Sequence, residues 1–367
     1  MAKKTLGIIG GGQLGRMLTE AAHKLGYKVI VIDPNENCPA AQVGAEQIKA
    51  KYKDSSAYKI LAEKSDIITI EIEHIETSEL ENLKAIVYPN PRVIRLIQDK
   101  YEQKLFLQNS YIKVAKFSEV GQAHSLSKYK RDTIIKTKKD GFDGRGNLIL
   151  QKNKLLESIL SDDPAKYYVE EKIDFDCELS VIYAQDIHKN LRFYPVTKTI
   201  HKNSICVETQ VPSGISKEVE DKALDIARKI AYKLDTVGVF AVEMFVVGDE
   251  ILVNEIAPRV HNSAHYTMDA CETSQFEQHV RVVTGMELGS TKMKVPAAVM
   301  VNILGERDGP VKLNGVEEAE KIDGVSIYIY GKSPTKIDRK MGHINATGMN
   351  VKEANQKAHQ ARKLISI

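Results

Sequence analysis

Two glutamates, Glu243 and Glu255, each interrupt an otherwise apolar run, Val239-Phe240-Ala241-Val242-Glu243-Met244-Phe245 and Ile251-Leu252-Val253-Asn254-Glu255-Ile256. Both runs read as strands, and Gly248-Asp249-Glu250 between them reads as a hairpin turn. A three-residue loop pairs Val247 with Ile251, sets Phe245 against Val253, and brings Glu243 opposite Glu255. Facing carboxylates repel. A divalent cation removes the conflict, and Mg2+ suits one or two carboxylates combined with substrate phosphates. The apolar neighbours on both faces argue against two acids simply turned to water. A register slip of one residue would undo the pairing.

A second group of residues suits polyphosphate. Residues 141–147, Gly141-Phe142-Asp143-Gly144-Arg145-Gly146-Asn147, hold three glycines, an acid and a base. Such a loop can fold over phosphates and offer backbone N–H groups. Lys136 lies just before it on the strand Thr133–Thr137 and can act as a point cation for phosphate. Glu170-Glu171-Lys172-Ile173 follows the apolar Tyr167-Tyr168-Val169. It could present backbone groups and a carboxylate to an adenine and ribose, although an ordinary strand end in water reads equally well.

Near the N-terminus, Gly10-Gly11-Gly12-Gln13-Leu14-Gly15 matches G-x-G-x-x-G between a strand and a helix. The helix N-terminus there can receive an anion. Asp33 ends the next strand, where a dinucleotide enzyme holds a ribose. Alone, these residues suggest an NAD-dependent dehydrogenase. That reading leaves the second glycine loop and the paired glutamates without a task.

The elements that must position these groups change character along the chain. Thr5–Ile9, Lys28–Asp33 and 66–71 read as buried strands. Leu14, Met17, Leu18, Ala21, Ala22 and Leu25 fall on one helical face, which Gly26 ends. Strand–helix–strand order predicts a parallel sheet with right-handed crossovers. Pro89 and Pro91 mark a break, and a boundary is expected near Arg95. The middle reads as α+β, with strands at 167–173, 178–184, 239–247 and 250–256 and a helix over Lys217–Leu234. A third segment starts near Pro296, carries a strand at 326–331 and ends in a helix over 353–364.

The 367 residues suggest two or three domains. With 52 basic and 49 acidic residues the net charge is +3, too balanced for nucleic-acid binding by bulk electrostatics. No apolar run reaches the ~18 residues of a membrane span, and no signal peptide is evident. Cys38, Cys177, Cys206 and Cys271 are scattered and contain no CxxC pair, which argues against a zinc or redox motif and fits a reducing cytoplasm.

Four segments in this order, Gly-Gly-Gly-Gln-Leu-Gly-Arg at 10–16, Gly-Phe-Asp-Gly-Arg-Gly-Asn at 141–147, Asn-Glu-Ile-Ala-Pro-Arg-Val-His-Asn-Ser-Ala-His at 254–265 and Arg-Lys-Met-Gly-His-Ile-Asn at 339–345, carry a wider likeness. The chain resembles the ATP-grasp enzymes and, more narrowly, the 5-(carboxyamino)imidazole ribonucleotide synthetases, over essentially its whole length. The resemblance implies an α/β and α+β architecture. A Rossmann-like substrate domain would span 1–95, a two-lobed ATP-grasp domain 96–290, and a small β-rich domain 291–367. It also implies carboxylation of aminoimidazole ribonucleotide with ATP and bicarbonate, with Mg2+, in a cytoplasmic homodimer.

The resemblance assigns ATP to Lys100, Lys136, Gly141, Phe142, Asp143, Gly144, Arg145, Gly146, Asn147, Glu170, Glu171, Lys172, Ile173, Glu178, His201, Asn254 and Glu255. It assigns Mg2+ to Glu243 and Glu255. Gln13 and Leu14 would lie at the ribonucleotide, with Glu71 on its ribose. Asn262, Lys332, Arg339 and Lys340 would complete that pocket, the three cations gripping the phosphate. Asp143, Arg145, Arg259 and His261 would lie near the reacting groups. Two positions depart from the pattern. Phe142 stands where Tyr is common, and Ala257 where many ATP-grasp enzymes place a metal-binding Asn. Another ligase of the same fold, such as formate-dependent glycinamide ribonucleotide transformylase, shares the phosphate sites and differs in its acceptor.

Overall fold

The computed structural model describes residues 4–120, 132–139, 141, 147–150 and 163–367. The expected loop residues Phe142, Asp143, Gly144, Arg145 and Gly146 lie outside them.

The first hundred residues form a five-stranded parallel sheet in the order Glu46–Lys49, Lys28–Asp33, Thr5–Ile9, Ile67–Ile70, Ile86–Val87. The apolar strands are buried on both faces, as a covered parallel sheet requires. Helix Gln13–Lys24 buries Leu14, Met17, Leu18, Ala21 and Ala22, the face that the spacing predicted. Gly26 follows it with φ +84°, the left-handed conformation that lets the chain turn back to the sheet. The same core takes in Phe276, Val280 and Val283 of helix Gln275–Val283. Thr69 Oγ1 is 2.7 Å from His279 Nε2 on that helix, so a polar contact also joins the two segments.

A nine-stranded sheet carries most of the remainder. Its main path runs Glu250–Ala257, Gly238–Val247, Cys177–Gln185, Thr197–Lys202, Ile205–Val211, Ala297–Leu304, Lys340–Gly348, Val325–Ile329, with Leu191–Phe193 paired to Cys177–Gln185. Helix Lys217–Leu234 packs on it through Val219, Ala223, Ala227, Ile230, Ala231 and Leu234. Ser216 caps its N-terminus by accepting from Val219 N, and Asp235 ends it in a left-handed turn. Truncating fully buried Ile230 to Ala would cost roughly 2–5 kcal/mol.

A four-stranded sheet, Phe117–Glu119, Tyr167–Glu171, Thr133–Thr137, Asn147–Leu150, forms the smaller lobe. Lys136 pairs with Asn147, so the strands on either side of the glycine-rich segment are antiparallel neighbours.

The expected boundary near Arg95 falls inside helix Pro91–Gln98, and Asp99 begins helix Lys100–Asn109 by accepting from Tyr101 N and Glu102 N. The expected division at 290 coincides with no gap in the sheet. Glu208, Thr209, Gln210 and Val211 pair with Val301, Met300, Val299 and Ala298. Strands Thr197–Lys202, Ile205–Val211, Ala297–Leu304 and Lys340–Gly348, absent from the sequence reading, bridge the two segments.

Candidate active site

Glu243 and Glu255 do pair, by a different route from the expected one. The turn is a two-residue one at Gly248-Asp249, so Val247 pairs with Glu250, Val246 with Ile251, and Met244 with Val253. That register would leave the glutamates out of step. A bulge then absorbs Asn254, and Glu243 comes opposite Glu255. The loop length was misjudged by one residue, and the bulge shifted the ladder back by one.

The two carboxylates have different surroundings. Lys100, on the first turn of its helix, places Nζ 2.8 Å from Glu255 Oε2. Burial opposes ionisation of Glu255, but Lys100 outweighs it and holds the carboxyl down to about 2. Glu243 is pushed up to about 7 by burial and by Glu255. His201 Nδ1 lies 2.6 Å from Glu178 Oε2, and its pKa is raised because Glu178 and Glu243 together outweigh burial.

No cluster of three or more His, Cys, Asp or Glu side chains suited to a metal occurs among the described residues. The oxygen pair Glu243/Glu255 nevertheless fits Mg2+ if substrate oxygens and water complete the shell. Glu243, the member whose pKa burial and Glu255 raise, is the group that a cation would relieve. Ala257, paired with Ala241, offers no side-chain oxygen there.

Glu170 is not turned toward solvent. Its Oε1 accepts from Lys136 Nζ at 2.9 Å, and its Oε2 lies 3.2 Å from Lys104 Nζ. The adjoining main chain is committed to the fold, with Glu171 N donating to Lys116 O and Lys172 N to Asp132 O. Ile173 directly follows this segment.

A cavity of about 880 Å³ opens where all three segments meet. Gln13, Leu14 and Glu71 line one side, Lys100, Gly141, Glu255, Arg259, His261 and Asn262 another, and Lys332, Arg339 and Lys340 a third. Lys136, Glu170, Glu171, Lys172, Ile173, Glu178, His201, Glu243 and Asn254 are not on its wall. The expected substrate residues thus share one chamber, joined to the nucleotide residues through Lys100, Gly141 and Glu255. Asn147 begins the strand that follows the loop.

The N-terminal glycine loop is already satisfied by the protein's own acids. Glu71 accepts from Gly12 N at 2.8 Å and Gly15 N at 3.1 Å, and Asp33 accepts from Gly11 N at 3.0 Å. Asp33 also accepts from Asn35 and from Tyr52 Oη at 2.7 Å, and is 2% exposed. It has no free edge for the ribose of a dinucleotide, which removes the dehydrogenase reading. Glu71 still lines the cavity, but a ribose contact would have to share a carboxylate that closes the loop. Burial raises the Glu71 pKa against the pull of the Gly12 and Gly15 amides.

Arg259 forms a bidentate pair with Glu73. Arg259 lowers Glu73 to about 2 despite burial. His261 is held down to about 3, first by burial and then by Arg259 and Lys340. Its Nδ1 faces the Ser263 amide at 3.4 Å and the Ser263 hydroxyl at 2.8 Å. Accepting there puts the proton on Nε2, which lies 3.7 Å from Glu243 Oε1. Asn262 exchanges two hydrogen bonds with Asn302, at 3.0 and 2.7 Å. Lys332 donates to Gln13 Oε1 and to Lys340 O, joining the third segment to the first. Arg339 donates to Pro334 O.

Lys104, Glu73 and Asn302 were missed. Lys104 sits on the helix face four residues after Lys100, a spacing that could have drawn notice. Asn302 interrupts the apolar run Ala297–Leu304, the same signal that exposed Glu243.

A small antiparallel lobe carrying Lys136, paired acids on a large sheet and Lys100 beside one of them define an ATP-grasp enzyme. The sequence matches the ATP-grasp domain over residues 105–276, the ribonucleotide synthetase preATP-grasp domain over 3–98, and the phosphoribosylaminoimidazole carboxylase C-terminal domain over 298–357. N5-carboxyaminoimidazole ribonucleotide synthase of Bacillus subtilis (strain 168) is 40% identical over 347 residues, covering 92% of this chain and 90% of that protein. The crystal structure of N5-carboxyaminoimidazole ribonucleotide synthetase from Thermotoga maritima superposes with a TM-score of 0.89 at 38% identity, covering 99% of each chain. The Aspergillus clavatus N5-carboxyaminoimidazole synthase, in complex with ADP and 5-aminoimidazole ribonucleotide, gives a TM-score of 0.88 at 32% identity, covering 99% of this chain and 98% of that one. The chain belongs to the N5-carboxyaminoimidazole ribonucleotide synthase family.

Proposed function

We propose that this chain carboxylates 5-aminoimidazole ribonucleotide with bicarbonate and ATP, giving N5-carboxyaminoimidazole ribonucleotide, ADP and phosphate in purine biosynthesis. The observation that carries the reading is the three-sided cavity. Its lining brings Lys332, Arg339 and Lys340 together with Glu255 and Lys100.

In this mechanism a bicarbonate oxygen attacks the γ-phosphorus of ATP, and the bond to the β,γ-bridging oxygen breaks. Carboxyphosphate and ADP result. Lys100 and Lys136 offset the charge on the transferring group. Glu243 and Glu255 would hold Mg2+, which when bound supplies further charge neutralisation of the phosphates. The exocyclic amine of the ribonucleotide then attacks the carboxyl carbon. Phosphate leaves with the electron pair of the broken C–O bond, and the amine loses a proton.

Asp143 takes that proton or orients the amine, and Arg145 stabilises the oxyanion. His261, neutral and protonated on Nε2, suits donation to an anion rather than proton removal. Arg259, fixed by Glu73, adds a positive charge beside it. Gln13 and Leu14 line the ribonucleotide chamber with Asn262, and Glu71 borders its ribose. Residues 141–147, Glu171, Lys172, Ile173, Glu178, His201 and Asn254 surround the nucleotide.

The proposal includes a cytoplasmic homodimer. Four free thiols support a reducing compartment, and no helix among the described residues is long and apolar enough to cross a membrane. Light scattering on the purified chain tests the dimer. The reaction is tested by ADP release, which must require the ribonucleotide and bicarbonate together. Equal ADP release without the ribonucleotide would refute it.

A further inference from the structure

Glu170 is shared by two lysines that differ in freedom. Lys104 and Glu170 are each 2% exposed, and Lys136 is 13% exposed. Lys104 Nζ lies 3.2 Å from Glu170 Oε2 and donates to Val253 O at 3.3 Å. Tyr168 Oη donates to the same carboxylate oxygen at 3.4 Å. Lys136 Nζ holds the other oxygen at 2.9 Å. Lys104 therefore ties the small-lobe strand Tyr167–Glu171 to the large-sheet strand Glu250–Ala257, one residue before Asn254 and two before Glu255.

A buried carboxylate with one cation cannot release it cheaply, because the charge left behind has neither water nor a partner. With two cations it can release one. Lys104 has no route to solvent, whereas Lys136 is partly exposed on the strand that precedes the glycine-rich segment in sequence. We infer that Lys104 is a positioning residue, a fixed counter-ion for Glu170 that leaves Lys136 able to exchange Glu170 for a nucleotide phosphate. The inference rests on the reading that Lys136 binds phosphate. Lys104 itself touches no substrate in this scheme. Glu170 serves as the latch for Lys136 and not as a ligand of adenine or ribose.

The test compares Lys104→Met, Glu170→Gln, the double variant and Lys136→Met by ATP KM, kcat and calorimetric ADP binding, with melting curves on each. Lys104→Met should weaken nucleotide binding about tenfold, with a smaller change in kcat, because Lys136 is then locked to Glu170. The double variant frees Lys136 and should return to within about threefold of wild type. A purely structural role predicts no such rescue. A double variant as weak as Lys104→Met, or a Lys104→Met with wild-type affinity, overturns the inference. If Lys104→Met does not fold, the double variant is set against wild type and Lys136→Met, and affinity as poor as that of Lys136→Met overturns it. Wild-type affinity in Lys136→Met would instead refute the phosphate role of Lys136.

Discussion

Glu255 and Glu243 face each other across one strand pair, but only Glu255 is held by an ammonium group, Lys100 Nζ at 2.8 Å. Glu243 faces His261 Nε2 at 3.7 Å, and that imidazole is kept neutral. Lys100 holds one carboxylate of the pair ionised, while burial and Glu255 keep the pKa of the other raised.

The asymmetry sets a pH dependence. The Glu243 carboxyl is raised from 4.5 to about 7, so the native state holds its proton more tightly than the unfolded chain. Stability of the metal-free protein should fall as pH rises from 4.5 through about 7. Glu243→Gln should melt a few degrees above wild type at about pH 8 without metal, and near it at about pH 5. Its kcat should drop by roughly 100-fold or more, because the phosphates lose a metal carboxylate. Scanning calorimetry and ADP release measure the two effects. A Glu243→Gln melting point below wild type at the higher pH contradicts the scheme.

Glu73 should show the opposite sign. Its pKa is lowered from 4.5 to about 2, chiefly by Arg259 working against burial. The pair's contribution is fully present above about pH 4.5 and is lost as pH falls toward 2. Glu73→Ala leaves Arg259 buried and unpaired, and should destabilise by roughly 3–5 kcal/mol. Urea denaturation measures this, and KM for the ribonucleotide should rise with it.

Much of this was legible because chemistry interrupts pattern. The acids at 243 and 255 stand out in apolar strands, and the helix Lys217–Leu234 was read to its last residue. The bulge at Asn254 was not legible, since no residue type marks it and only the pairing with Gly238–Val247 reveals it. The role of Glu71 was hidden for a related reason. Its partners, the amides of Gly12 and Gly15, are backbone groups that carry no signature 59 and 56 residues away. The strand Thr197–Lys202 holds a single apolar residue, Ile200, so no alternation separates it from a loop.

The glycine loop near the N-terminus should be unforgiving for its own reason. A Cβ on Gly15 would lie 2.7 Å from Gly10 O, a backbone atom that cannot move aside. Gly15→Ala should lower the melting temperature markedly. Glu71→Ala should cost about 2–3 kcal/mol by leaving the amides of Gly12 and Gly15 without an acceptor. Added inorganic phosphate that restored Glu71→Ala would show that an anion can take the same place.

His261 should not titrate in the working range. Held at about 3, it stays neutral from about pH 5 to 8. Its ring 15N shifts should be flat across that interval and consistent with a proton on Nε2. A limb of the rate profile near the ordinary histidine value that vanished in His261→Asn would contradict this.

The ladder from Glu208 to Val211 against Ala298 to Val301 has a practical consequence for anyone dissecting the protein. Cutting the chain at 290 would strip both fragments along an interior seam and bare the edge of Ile205–Val211 that Ala297–Leu304 covers. Bare rims of that kind recruit neighbouring molecules. The two halves should therefore precipitate when expressed singly and stay in solution when made together.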